Sequence, residues 1–187
     1  MMTQAPPGQD RNSEADRQGA APVALLLGSS DVTIWGLTGA ERLRRQLARA
    51  GVTRVVDEAV DRNTVSGTVL LLHSGWVFDE SLVVAMAAAP AGTVLLDEHS
   101  DRPVAALVDA AQSAAMASGL GGLVADLPSG LRVVTPATLV GTYNPKLRKR
   151  ETPLLGALEP ATVSYTEKRT LAASYNGGTD VVTKYAW

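Results

Sequence analysis

Val23-Ala24-Leu25-Leu26-Leu27-Gly28-Ser29-Ser30 is an apolar run stopped by a turn. A run of that length between turn-forming residues reads as a buried strand. A helix signal follows it. Thr38 has Glu41 three residues on, the spacing of a capping box. Ala40, Leu43, Leu47 and Ala50 then recur at helical spacing, Arg42, Arg44, Arg45 and Arg49 fall elsewhere, and Gly51 stands where helices stop. Arg54-Val55-Val56 predicts a second strand.

The alternation continues. Thr68-Val69-Leu70-Leu71-Leu72 is continuously apolar, as in a strand covered on both faces. Asp79 or Glu80 opens a second helix, through Met86 to Ala89. Thr93 to Leu96 and Val104 to Val108 predict two more strands, Ala110 to Ser118 an Ala-rich helix, and Arg132-Val133-Val134 a further strand. Strands alternating with short helices indicate βαβ units and a mainly parallel sheet, so the expected class is α/β over residues 22–140. Residues 1–21 are polar, with no apolar core, and read as a disordered leader rather than a signal peptide. After Gly141 the chain turns polar and basic and is broken at Pro145, Pro153 and Pro160. Residues 141–187 therefore read as a basic loop and helical extension, with a helix from Thr162 to Tyr175 and the start of another from Thr179 to Trp187.

Composition narrows the function. The chain has 187 residues, 45% of them hydrophobic, and a formal net charge of −2, so no bulk polycation for nucleic acid exists. With no cysteine, disulfides, thiolate metal sites and cysteine nucleophiles are excluded, which is compatible with a cytoplasmic location. The longest apolar region, Leu82 to Leu96, is broken by Pro90 and Gly92, short of the ~20 residues that a bilayer needs.

No complete catalytic motif is present, and no catalytic or metal-ligating residue is assigned. Gly28-Ser29-Ser30 lies where α/β folds place phosphate loops, but it lacks the GxGxxG spacing and the Gly-Lys-Ser/Thr of a P-loop, so it reads as a turn. His99 sits in Asp97-Glu98-His99-Ser100-Asp101. Consecutive residues of an extended chain point in opposite directions, so few of these could converge on one metal ion. His73 and Trp76 follow the third strand, at an edge where sheet ligands bind. Packing of Trp76 on a helix is the preferred reading over stacking on a base. Lys146, Arg148, Lys149 and Arg150 form a basic patch able to grip phosphates of nucleotides or lipid headgroups. Tyr185 and Trp187 end a Lys-containing aromatic tail suited to a membrane–water interface.

Three stretches resemble a bacterial arrangement in which a cytosolic nucleotidyltransferase-like domain precedes a membrane-embedded CDP-alcohol phosphatidyltransferase. They are Trp35 to Arg45, Leu70 to Glu80, and Arg148 to Glu151 together with Ser174 to Trp187. The resemblance implies a three-layer, Rossmann-like sheet. It also implies that the last stretch leads into a juxtamembrane segment and transmembrane helices absent from this sequence. The implied partners are the membrane-embedded transferase domain or an anionic lipid surface at the inner face of the membrane, with CTP or a CDP-alcohol as ligand and a homodimer as possible assembly.

The sequence departs from such enzymes. Gly28 to Gly36 contains no Arg or Lys where an active nucleotidyltransferase carries a Gly-rich loop with an Arg. Gly75 and Trp76 stand where a Mg²⁺-binding Asp is expected, and the Asp-rich phosphatidyltransferase signature is missing. The expectation is a catalytically degenerate domain with a docking or regulatory role and no evident cofactor. Arg42, Lys149 and Arg150 would contact phosphate or headgroups, and Tyr185 and Trp187 would sit at the membrane surface. One rival is an active cytidylyltransferase using CTP, a polyol phosphate and Mg²⁺, with Asp79 or Asp97 as ligand. Another is a protein-interaction module.

Overall fold

A computed structural model of the chain describes residues 21–57, 65–144 and 149–174. It is α/β, with a mostly parallel, mixed six-stranded sheet in the order β4-β1-β5-β8-β7-β9. These strands are β1 (Val23–Leu27), β4 (Val55–Asp57), β5 (Thr68–His73), β7 (Thr93–Asp97), β8 (Arg102–Asp109) and β9 (Arg132–Val134). β1 is parallel to β4 and β5, and β7 to β9. β8 runs antiparallel to both its neighbours. The reason is local. Only residues 98–101 separate β7 from β8, too few for the crossover of a dozen or more that a parallel neighbour needs. The buried Asp97 carboxylate holds that turn, accepting from the His99 N–H at 3.3 Å and the Ser100 hydroxyl at 2.7 Å.

The strands send alternate residues to opposite faces. Ala24, Leu26, Leu70 and Leu72 enter one core with Leu43 and Leu47 of α1 (Gly39–Arg49) and Leu82 and Met86 of α2 (Glu80–Ala87). Leu25, Leu27, Val69 and Leu71 enter the other with Met116 of α3 (Ala110–Gly119) and Leu120. Helices thus cover both faces, which explains why β1 and β5 are continuously apolar.

Three helix starts have a local cause. Thr38 and Glu41 form the capping box of α1. Asp79 caps α2, its Oδ1 accepting from the Ser81 N–H at 2.9 Å and the Ser81 hydroxyl at 2.7 Å. A short helix that the sequence reading did not anticipate, α4 (Pro136–Val140), starts at Thr135 with a second capping box and Pro in its first turn.

The remaining elements are small. A tight hairpin joins β2 (Thr33–Ile34) to β3 (Leu37–Thr38). β10 (Tyr143–Asn144) pairs with β11 (Lys149–Arg150). β12 (Leu155–Ala157) runs antiparallel to β6 (Trp76–Phe78), so residues from the expected extension pair with the α/β body. α5 (Val163–Ser174) lies against β2. Among the described residues no helix is long and apolar enough to cross a membrane. Residues 1–20 of the expected leader and the tail beyond Ser174 lie outside the described residues.

Candidate functional site

β1 continues through α1 to β4 on one side, and β5 through β6 and α2 to the opposite half of the sheet. The crevice where such connections part is where open α/β sheets take ligands. Among the described residues, Ser74 closes it between β1 and β5. The Ser74 N–H donates to the Leu27 carbonyl at 2.8 Å, and its buried hydroxyl faces the carbonyls of Leu27 and Gly28 at 3.0 and 2.5 Å. The first residue of α1 is seated on the same serine: a Cβ added to Gly39 would lie 1.8 Å from the Ser74 carbonyl oxygen.

The anion position at the start of α1 is taken as well. Helix N-termini attract anions because their first N–H groups lack partners. The Glu41 carboxylate lies there, accepting from the Thr38 N–H at 2.8 Å and the Thr38 hydroxyl at 2.9 Å. The Thr38 backbone hydrogen bond, then the hydroxyl, holds the Glu41 carboxyl below the usual carboxylate range, with smaller help from Arg45 and Arg44. A carboxyl group whose pKa is depressed by folding contributes stability above its unfolded pKa of ~4.3, and that contribution is lost as pH falls through the folded value. The wild-type advantage over Glu41→Gln in urea midpoint should therefore be largest at pH 7 and shrink towards pH 3. An equal gap at both pH values would show that the charge at this cap is immaterial.

His73 closes the far side of the crevice. Its Nδ1 accepts from the Gly75 N–H at 3.0 Å, which leaves the neutral ring's proton on Nε2. The ring meets Trp76 edge-on, with centroids 4.8 Å apart at 81°. Trp76 is buried in the core beside α2, and its indole Nε1 has no hydrogen-bond partner.

A second concavity lies on the outer side of α1. It is a groove of about 1050 Å³ between α1, the start of α2, residues 151–154 and α5. Arg42, Arg45 and Arg49 line it at positions i, i+3 and i+7 of one helix. Arg49 pairs with Glu80 at 3.0 Å, and Arg169 of α5 pairs with Glu151. No carboxylate among the described residues pairs with Arg42, and its half-buried position alone pushes its pKa below the usual guanidinium value. Trp35 also lines it. It occupies the first of two turn positions with φ of +52°, followed by Gly36 at +72°, the pattern of a type I′ hairpin turn. For a bulky side chain that conformation costs ~1–3 kcal/mol and calls for compensation. α5 supplies some: the Trp35 N–H donates to Glu167 Oε1 at 3.1 Å, and the indole Nε1 to the Thr170 hydroxyl at 3.3 Å.

The expected site residues are thus dispersed. Arg42 lines the groove. Lys149 and Arg150 form β11, of which the backbone alone is described, and Lys146, Arg148, Tyr185 and Trp187 lie outside the described residues. Asp79 and Asp97, the ligands of the cytidylyltransferase rival, serve as a helix cap and a turn brace. His99 is exposed, 3.5 Å from Asp97. Among the described residues no three His, Asp or Glu side chains gather as a metal site. Sequence reasoning missed Trp35 and the groove. The favoured Asn-Gly and Asp-Gly turn signals are missing there, because Trp35 precedes Gly36. No protein-family model and no curated protein matches the chain.

Proposed function

We propose that this chain carries a Rossmann-like, nucleotidyltransferase-type domain that has given up its own transfer chemistry. It acts as the cytosolic docking or regulatory part of a CDP-alcohol phosphatidyltransferase, at the inner face of the membrane. The observation that carries the reading is the filled strand-end crevice: Ser74 bridges the β1 and β5 loops, and Glu41 takes the anion position of α1. Preorganised donors aimed at a transferring phosphoryl group are the main source of rate in such enzymes. A carboxylate in their place repels the triphosphate instead. The link to a phosphatidyltransferase, to anionic lipid and to CTP or a CDP-alcohol rests on the resemblance of residues 148–151 and 174–187. In that reading Lys149 and Arg150 meet headgroup phosphates, with Tyr185 and Trp187 beside them in the interface.

The test has two parts. With CTP, a polyol phosphate and Mg²⁺, the purified chain should release no pyrophosphate above background. It should also co-sediment with phosphatidylglycerol vesicles and lose that binding in Lys149→Gln/Arg150→Gln, since each cation near an anionic surface contributes about 1 kcal/mol. Pyrophosphate release that depends on Asp79 or Asp97 would establish the cytidylyltransferase reading in its place.

A further inference from the structure

The groove outside α1 has a composition that the docking role leaves unexplained. Its acidic groups are engaged: Glu80 with Arg49, Glu151 with Arg169, and Asp79 with the start of α2. Its guanidinium groups are in surplus. Arg42 is half-buried without an acid partner among the described residues, and the exposed Arg45 lies one turn further along the same face. A desolvated cation left unpaired is unfavourable unless an anion completes it. Trp35, which also lines the groove, is 55% exposed, yet its ring is fixed by the hydrogen bond to Thr170 and its backbone by Glu167. An exposed indole immobilised in a strained turn is a preformed stacking surface. Strain of this kind concentrates at binding positions.

We infer that the groove binds a mononucleotide, its phosphate on Arg42 and Arg45 and its base against Trp35. The volume of about 1050 Å³ is ample for such a ligand. Stacking on an indole tolerates any base, so the geometry specifies a phosphate bearing a flat ring rather than one particular nucleotide. This site lies away from the strand-end crevice and needs neither transfer chemistry nor a membrane. It stands or falls separately from the role proposed above.

The experiment is calorimetric titration of the full chain with AMP and CMP in the presence of EDTA, with ribose 5-phosphate, inorganic phosphate and phosphatidylglycerol vesicles as parallel arms. The mononucleotides should bind at least about tenfold more tightly than the two ringless phosphates. Arg42→Gln should weaken them about tenfold or more. Trp35→Asn is the decisive variant. Asn-Gly is a favoured type I′ turn, so the thermal midpoint should hold or rise while mononucleotide binding falls about tenfold. Absence of mononucleotide binding at millimolar concentration overturns the assignment, as does binding that neither substitution changes. Loss of vesicle binding in Arg42→Gln without any mononucleotide binding would reassign the guanidinium groups to lipid headgroups.

Discussion

Gly39→Ala is expected to destabilise the protein by at least ~3 kcal/mol, at the upper end of overpacking costs. The new methyl group would lie 1.8 Å from the Ser74 carbonyl oxygen, less than two-thirds of any tolerated contact. That oxygen belongs to backbone at the end of the central strand β5, and the Ser74 N–H and hydroxyl tie it to Leu27 and Gly28. It cannot yield without opening the junction of β1 and β5. The remaining route is for α1 to rise, which withdraws Leu43 and Leu47, 1% and 0% exposed, from the core. For a chain of this size each kcal/mol lowers the thermal midpoint by ~2–4 °C, so a fall of roughly 6–12 °C should be seen. Gly156→Ala is the control, because nothing lies within 4 Å of its added Cβ. Two variants with matching urea midpoints would show that α1 is not seated on the crevice. The filled crevice, and the docking role drawn from it, would then lose their footing.

What the sequence disclosed and what it withheld divide along sequence separation. The Thr38–Glu41 box is a three-residue relation, and it placed α1 within a residue of its observed start. The continuous apolar runs of β1 and β5 announced strands covered on both sides. By contrast, β12 pairs with β6 across almost eighty residues, and no local pattern announces such a partner. The reversal at β8 was legible in principle, since four residues between strands exclude a crossover. It was obscured because the apolar run Val104 to Val108 looks the same in either direction.

The site divides in the same way. Arg42 could be singled out from its place on a helix rich in arginine. Its companion Trp35 could not, because α5 fixes that ring from 132 and 135 residues away. Indole is also among the least expected side chains for a left-handed turn position, so the hairpin went unread. Asp79 and Asp97 show the opposite failure. As letters they are candidate metal ligands; in the fold each answers backbone N–H groups and an adjacent serine. A carboxylate's role depends on which donors the local backbone leaves unpaired, and that is fixed only once the turn is formed.

Gly28→Ala should cost about 3 kcal/mol, and its pairing with His73→Ala separates two causes. The first is conformational. Gly28 has φ of +67°, a left-handed position that costs an L-residue roughly 1–2 kcal/mol. The second is steric. The added Cβ would lie 2.7 Å from His73 Cε1 and 2.9 Å from Nε2. A ring at the end of a free side chain would swing away cheaply. This ring has no such freedom: hypothetical Cβ atoms at Gly75 and Gly121 also come within 3.0 Å of it, Trp76 abuts its edge, and the Gly75 N–H holds Nδ1. Three loops thus close on one imidazole. In the double variant the steric cause disappears and the conformational one stays. Gly28→Ala/His73→Ala should therefore be more stable than the sum of the single effects by ~1–2 kcal/mol, within the range of coupling between touching residues. Urea denaturation of the four proteins at pH 7 measures the coupling. Additivity within ~0.5 kcal/mol, the behaviour of independent sites, would mean that the ring moves freely and that the crevice has room behind Ser74. A coupled result would mean that His73 is a packed wall of the crevice, and a ligand could enter between β1 and β5 only by displacing it.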